Sequence, residues 1–409
     1  MDSPSLVNLT PILRVMLLGL SVAVGPLAWW WLQHKGANRL KRLQALTVFT
    51  LFLTFDLVIF GAFTRLTDSG LGCPDWPGCY GSASPLGAQM HIDAAQRTMP
   101  TGPVTHSKAW IEMLHRYLAT SVGVLILTLT VNSWWVRYRA RQQARQKVRV
   151  LSEFQPKAHL QISPWWPTAS LFWVSLVGAF GALTVTLKLF PAIVTLHLLG
   201  ALVLLMLLCL QTALYAKVIH TQPNTQPQVM ISARLRIGLF ATFALLWLQI
   251  ALGGWVSTNY AVLACNTFPT CQNSWWPVMD FSQGFTLWRE LGLTPSGAHI
   301  SFSALTAIHY THRLVAYALL AALGVLAWQL SKVPALQRHA RWLGGIAAWQ
   351  LATGLSNVVL DWPLIAALSH TAGAAALVML MTWTLSSTVA DRRLNFSIPS
   401  RKPLLQRPL

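Results

Sequence analysis

Apolar residues run along this chain in stretches too long for the buried face of a globular helix. Nine stretches stand out, at roughly 12–33, 44–66, 109–136, 166–187, 190–216, 235–256, 303–330, 341–360 and 363–388, each with few or no charges. About 20 consecutive, mostly apolar residues suffice for a helix to cross the hydrocarbon layer. The pattern therefore predicts nine spans. The polar positions between them are patterned too. The connection 34–43 holds Lys35, Arg39, Lys41 and Arg42, and 137–164 is basic from Arg137 to Lys157. Lys217, Arg234 and Arg236 flank a later turn, Lys332, Arg338 and Arg341 another, and Arg392, Arg393, Arg401, Lys402 and Arg407 sit in the tail. With nine spans, all of these fall on one side. Positively charged connections face the cytoplasm, so the N-terminus is expected outside and the C-terminus inside. Tryptophans Trp29–Trp31, Trp134–Trp135, Trp165–Trp166 and Trp275–Trp276 stand at span ends, where interfacial rings collect.

Composition sharpens this picture. The chain has 409 residues, 54% of them hydrophobic and only 10% charged. Its net charge of +19 would suit nucleic acid, but the placement of the charge in alternate connections argues for a membrane and against that partner. In the first span the positive charges follow the apolar run and no small-residue cleavage site precedes them, so it is expected to be a true span rather than a signal peptide. No Arg- and Ser-rich transit segment is present, and a bacterial plasma membrane is the expected location. Cys73 and Cys79 share one outer connection, Cys265 and Cys271 a second, and Cys209 lies inside a span. Paired cysteines outside the cytoplasm read as disulfides.

The chain also repeats itself. Cys73 and Cys79 match Cys265 and Cys271 at a shift of 192, His115-Arg116 matches His312-Arg313 at 197, and His197 matches His370 at 173. Both halves start from the inner side, so the repeats are parallel, related by an axis along the membrane normal. The expected architecture is all-α and membrane-embedded, with two pseudo-symmetric four-helix transmembrane bundles and an additional N-terminal transmembrane helix. The divisions are 1–43 for the extra helix and its basic loop, 44–217 for the N-half, 218–233 for a cytoplasmic linker, 234–390 for the C-half and 391–409 for a basic cytoplasmic tail. Gly178, Gly181, Gly344, Gly345 and Gly354 are expected to permit close helix approach.

His115, His197, His312 and His370 all fall inside apolar spans, where ionisable groups are costly and mark function. Counted from the outer end of each span they lie at depths of roughly 9–14 Å. Paired imidazoles at one depth suit the two axial positions of a haem iron. Zinc or copper would need a third repeated ligand. His309, one helical turn from His312, is an alternative ligand. His91, His106 and His299 read as solvated loop residues. Arg116 and Arg313 either pair with haem propionates or snorkel to the interface, and Arg65 is a weaker candidate of the same kind. Glu112 shares a face with His115, and its counterpart is His309. A carboxylate beside one site only suggests charge stabilisation or proton movement there, against the plainer reading of an interfacial glutamate paired with an arginine or Lys108. Asp56 reads as a helix-packing hydrogen bond or part of a polar pathway.

These residues sit in recognisable stretches: Gly61-Ala62-Phe63-Thr64-Arg65-Leu66-Thr67, Ser69-Gly70-Leu71-Gly72-Cys73-Pro74-Asp75-Trp76-Pro77, Glu112-Met113-Leu114-His115-Arg116, Thr195-Leu196-His197-Leu198, His309-Tyr310-Thr311-His312-Arg313 and Ser369-His370-Thr371-Ala372. Over about 44–390 the chain resembles the haem A synthase family, eight-span membrane enzymes of two four-helix halves that convert haem O to haem A for terminal oxidase assembly. The span at 12–33 departs from that plan. The resemblance implies a haem b cofactor on His312 and His370, with Arg313 beside it. It implies a haem O substrate on His115 and His197, with Arg116 beside it, and chemistry at Glu112. It further implies loop disulfides Cys73–Cys79 and Cys265–Cys271, supply by a haem O synthase and an unidentified electron-transfer partner. A thiol–disulfide exchange partner at the outer face and a homo-oligomer are also compatible with it. The competing class is a dihaem membrane cytochrome that transfers electrons and oxidises no substrate.

The basic residues of 34–43 make the orientation testable. A reporter active only in the cytoplasm, fused at residue 38, is expected to be on. Activity at that position from a periplasmic reporter instead would show the first span to be misread.

Overall fold

The structure, a computed structural model, describes residues 10–150, 163–220 and 229–388. Its elements are helices, in the order α1 (Thr10–Gln33), α2 (Arg39–Leu66), α3 (Gln89–Thr98), α4 (His106–Val150), α5 (Trp165–Thr186), α6 (Pro191–His220), α7 (Ala233–Thr258), α8 (Phe281–Gly284), α9 (Phe302–Ser331), α10 (Gln337–Val359) and α11 (Leu364–Thr388), with three short 3-10 turns between them. Among the described residues eight helices are long and apolar enough to cross a membrane. The ninth expected span corresponds to α10, which falls below that hydropathy because Arg338, His339, Arg341, Gln350 and Asn357 lie within its 23 residues. It still matches its neighbours in length and packs between α9 and α11. Part of the basic connection that includes Lys157, part of the linker and the tail from 391 lie outside the described residues.

Local chemistry explains where the helices begin. Asn38, Ser232 and Ser301 cap α2, α7 and α9, their side-chain oxygens accepting from Lys41, Leu235 and Ala304 N–H at 2.8, 3.2 and 3.2 Å. Such caps satisfy amides that have no partner within the helix. Pro191 opens α6, where its missing N–H costs nothing. Inside the spans, the buried hydroxyls of Thr47, Thr50 and Thr54 donate to the carbonyls four residues back at 2.8, 2.8 and 2.7 Å. They therefore carry no unmet donor into an apolar setting.

The helices pack as two closed rings. In the N-half α2 touches α4, α4 touches α5, α5 touches α6, and α6 returns to α2. In the C-half the same circuit runs α7, α9, α10, α11 and back to α7. The rings meet through α6 with α11, α6 with α7 and α2 with α11, the set that a two-fold exchange of α2 with α7 and of α6 with α11 leaves unchanged. One apolar cluster runs across this seam, from Leu51 and Leu205 to Leu239, Leu323 and Met381. The extra helix α1 stands outside the N-half ring against α4. Its seat is tight: Ser121 Oγ donates to the Gly19 carbonyl at 2.9 Å, and a Cβ at Gly19 would lie 2.4 Å from Thr120 Cβ.

The Cys73–Cys79 and Cys265–Cys271 disulfides are formed, with Cα separations of 4.8 and 4.7 Å. Each tightens the connection that leads from the first to the second helix of its ring, and the four cysteines are at most 1% exposed. A crosslink over so short a loop contributes roughly 2–2.5 kcal/mol in the chain-entropy model. Cys209 is buried in α6 with a free thiol. Unfolding the protein in denaturant without reductant and counting thiols should therefore give one per chain, and five only after reduction. A count of three or five before reduction would show that one or both pairs are open.

Candidate functional site

Each ring alternates histidine-bearing and glycine-bearing helices. In the N-half His115 is on α4 and His197 on α6, at diagonal positions, while Gly61 on α2 and Gly181 on α5 occupy the other two. In the C-half His312 is on α9 and His370 on α11, with Gly253 on α7 and Gly354 on α10. All four rings turn the Cε1 edge onto a glycine of the neighbouring helix. A Cβ placed at Gly61, Gly181, Gly253 or Gly354 would lie 3.0, 3.1, 2.9 or 3.2 Å from that carbon. Nothing larger than hydrogen fits without moving the imidazole. Within each half the two histidines lie within electrostatic reach of each other, His115 with His197 and His312 with His370.

This arrangement fits a group that brings most of its own ligands. Among the described residues no three His, Cys, Asp or Glu side chains converge, so a bare cation would find only two protein donors at either pair. A haem supplies its own equatorial nitrogens and asks the protein for axial imidazoles. The glycine contacts fix where the ring edge of each imidazole sits. The donor set and the cradles both fit a haem in each half.

Above each pair, on the side of the disulfide loops, sits a frame built the same way twice. In the N-half Glu112 Oε2 accepts from the Cys73 N–H at 2.7 Å and Oε1 from Arg116 at 2.5 Å. Arg116 also donates to the carbonyls of Asp75, Pro77 and Gly78 at 3.0, 3.2 and 2.5 Å. In the C-half His309 takes the place of the carboxylate. Its Nδ1 lies 3.3 Å from the Cys265 N–H and its Nε2 3.3 Å from Arg313 Nε. A neutral imidazole accepts at one nitrogen only, so one of these is a hydrogen bond and the other a contact. Arg313 donates to the carbonyls of Thr267, Thr270 and Cys265 at 2.8, 3.2 and 2.6 Å.

Several sequence expectations are refined by this geometry. Arg116 and Arg313 neither snorkel nor stand free, since their guanidinium groups hold the Cys loops down onto α4 and α9. His309 belongs to the frame of the C-half rather than to its histidine pair. Arg65 sits at the seam: it pairs with Asp68 at 3.1 Å, donates to the Ser257 carbonyl at 2.5 Å and lies 4.0 Å over the Tyr260 ring. His106 bonds Asp93 at 2.6 Å and His91 stacks on Tyr80. Asp56 is exposed on the face of α2 turned away from Gly61, and the expected packing hydrogen bond does not form among the described residues. Of the glycines expected to permit close approach, Gly181 and Gly354 do so, whereas Gly178, Gly344 and Gly345 meet nothing within 4 Å. Gly61 and Gly253 were missed, although they repeat at the same 192-residue shift as the cysteines.

Residues 44–382 match the family model of COX15-CtaA, described as a cytochrome oxidase assembly protein. A Heme A synthase of Shewanella oneidensis is 33% identical over 81% of this chain and 92% of its own length. Heme A synthases of Rhodopseudomonas palustris (strain BisA53) and Bradyrhizobium sp. (strain ORS 278) are 25% and 26% identical over 79% and 82% of this chain, and over 84% and 88% of their own lengths. The segment carrying α1 lies outside the family match.

The cradles predict a sharp contrast among glycine variants. Gly253→Val and Gly354→Val place a branched side chain against His312 and His370, and overpacking of this kind costs about 1–3 kcal/mol. Both variants are expected to unfold at lower temperature and to retain less haem at equal protein. Gly344→Val, with open space at its Cβ, is expected to behave as the parent in both measurements. Equal behaviour of all three variants would remove the significance of the cradles.

Proposed function

The chain belongs to the COX15-CtaA family of cytochrome oxidase assembly proteins, and we propose that it is a multi-pass membrane oxidoreductase that converts haem O to haem A. The reading assigns 44–217 to the substrate half, with haem O between His115 and His197. It assigns 234–390 to the cofactor half, with haem b between His312 and His370. The disulfide loops face the outside of a bacterial plasma membrane, and the basic connections and the C-terminus face the cytoplasm. A haem O synthase supplies the substrate, and an electron-transfer partner of unassigned identity takes the electrons. The complete burial of both disulfides favours a structural role for them over exchange with a thiol partner.

One observation carries the assignment of chemistry to the N-half. The two frames make the same contacts, a Cys N–H and an arginine, yet one uses Glu112 and the other His309. Holding the loop does not require a carboxylate, because the C-half holds its loop with an imidazole. The negative charge beside His115 is therefore in excess of the structural need. A dihaem electron-transfer cytochrome would use such a charge only to offset the potential of one haem, whereas a substrate half uses it at the reacting edge.

Oxidation of the C8 methyl to formyl adds one oxygen from water and releases four electrons and four protons, through two hydroxylations and loss of water. Removing electrons from the macrocycle leaves positive charge at its edge. Glu112 sits one helical turn from His115, and Arg116 and the Cys73 amide fix its carboxylate in place. A carboxylate fixed before reaction stabilises developing charge without reorganising. The haem b of the C-half supplies redox chemistry when bound. The residues around it, His312, His370 and their glycines, hold it and exclude water.

Two variants separate charge from architecture. Glu112→Gln keeps the shape, and Glu112→His copies the C-half frame. Loss of one preorganised electrostatic partner typically costs on the order of 10²–10³ in rate. Both variants are expected to fold, to keep haem b and to bind haem O, while haem A falls steeply in extracted porphyrin analysed by chromatography and mass spectrometry. Near-normal haem A in either variant would reduce Glu112 to a loop-holding residue.

A further inference from the structure

The four imidazoles share a cradle but not an anchor. His197 Nδ1 lies 3.0 Å from the Val177 carbonyl. His370 Nδ1 lies 3.0 Å from Thr353 Oγ1, whose own proton goes to the Trp349 carbonyl at 2.8 Å. His312 Nδ1 lies 3.0 Å from the Gln249 side-chain amide nitrogen, and its Nε2 3.3 Å from the same atom. The amide oxygen of Gln249 is buried with no partner, and amide N and O positions are assigned from the network rather than seen. Turning that amide over places its oxygen beside the Nδ1–H of His312, so in either orientation the Gln249 side chain meets this imidazole. His115 is the exception. Its Nδ1 is buried and meets no hydrogen-bond partner among the described residues.

The two halves also differ in sequence behind this histidine. Gln249 stands four residues before Gly253, one turn back on the same face of α7. Four residues before Gly61, at the same shift of 192, stands Leu57. Its side chain is apolar where Gln249 carries an amide. Val177, at the same place before Gly181, is apolar too but reaches His197 with its backbone carbonyl, a contact with no counterpart at His115. Ligating histidines nearly always donate their second N–H to an acceptor, which fixes the ring and strengthens the ligand, and loss of that partner typically weakens metal binding 10- to 100-fold.

We propose that His115 is the yielding ligand of the N-half: its coordinate bond to a bound haem iron opens and recloses while His197 stays attached, making this half a site of haem exchange and the C-half a site of retention. The step is not a redox step, since the bond breaks with its electron pair staying on the imidazole nitrogen. It rests on the ligand assignment of the proposed function, and it supplies what that function demands. A substrate haem must arrive and a product haem must leave through the N-half, whereas a cofactor haem must stay. Three anchored histidines and one unanchored one divide the two halves accordingly.

Carbon monoxide is the probe, because it binds ferrous haem only where an axial ligand gives way. The purified holoprotein, reduced and exposed to carbon monoxide, is expected to form an adduct at the N-half alone. In His312→Ala, which opens the C-half to carbon monoxide as well, a second adduct should appear beside the parental one. His115→Ala should keep its N-half haem on His197 and give the parental adduct spectrum, whereas His197→Ala should not. Leu57→Gln supplies the missing anchor and should slow adduct formation about 10- to 100-fold at unchanged haem content. Leu57→Met, similar in size but without an acceptor, should leave the rate as it was. Absence of an adduct in the parent, an adduct confined to the C-half, or equal effects of the two Leu57 variants would overturn the proposal. If His115→Ala and His197→Ala both leave haem content and spectrum untouched, the ligand assignment itself fails, and the haemochrome assay reports that outcome separately.

Discussion

The contact on which the rest of this structure depends is that of an imidazole edge with a glycine. At 2.9 to 3.2 Å from a would-be Cβ, each of the four contacts is closer than a side chain tolerates unless the imidazole gives way, and it marks where two helices approach closely. Helices in a bilayer gain little from burying apolar surface against each other, because lipid is as apolar as a leucine side chain. Their association must come from shape and from the few polar contacts available. Here shape and chemistry coincide. The glycine that lets α2 approach α4 is also the one that seats His115, and the same holds around both rings. The order of helices and the aim of the imidazoles are thus set by one interaction used four times.

Doubling the unit creates a constraint of its own, since the surface of one half must complement the surface of the other. The seam shows how this is met. Arg65 reaches the Ser257 carbonyl, and Tyr260 bonds Asp68 at 2.7 Å. Both pairs are separated by 192 residues, the shift of the repeat itself. The same two positions of the repeat therefore meet their own counterparts across the axis. They are no longer the same residues. An arginine faces a serine carbonyl, and an aspartate faces a tyrosine that also stacks beneath the arginine. A strictly repeated sequence would have set arginine against arginine and aspartate against aspartate. The divergence at these positions converts two like-charge contacts into two hydrogen bonds and a cation–π contact.

Much of this was legible in the sequence because it depends on spacing. Runs of about 20 apolar residues announce spans, and the shifts relating Cys73 to Cys265 and His197 to His370 announce the repeat. What could not be read depends on chain that returns over itself. Nothing local to Arg116 or Arg313 says that the following loop doubles back, so that their donors meet carbonyls of residues 75–78 and 265–270. A guanidinium beside a candidate haem ligand suggests a propionate partner, and only the fold shows the carbonyls that these donors reach as well. His309 was ambiguous for the same reason, since helical periodicity puts it on the face of His312 but does not say what stands above it. Gly61 and Gly253 are a different case. The signal was present, as a glycine pair at the cysteine shift, and became meaningful only once a histidine was known to face each one. The relative polarity of α10 shows the converse limit, where helix neighbours identify a member of the ring that hydropathy alone passes over.

The comparison of halves leads to a view of how one scaffold serves two ends. Cradles, rings, loops and arginines are held in common, and under the proposed function they set what both halves do, which is to present two imidazoles to a planar group. The differences that touch a histidine or its frame are few and local. Glu112 opposes His309 in the frame, and Leu57 opposes Gln249 behind the ligand. The first exchange alters a charge within a frame that otherwise makes the same contacts, and the second stands at equivalent positions of the repeat. Under the proposed function these two exchanges act together. The carboxylate supplies a charge that only a reacting group would use, and the leucine withholds an anchor that only a permanent resident would need. A half that carried the carboxylate but kept a glutamine behind its ligand would hold its haem too firmly to turn over. A half with the leucine but no carboxylate would release its haem without changing it.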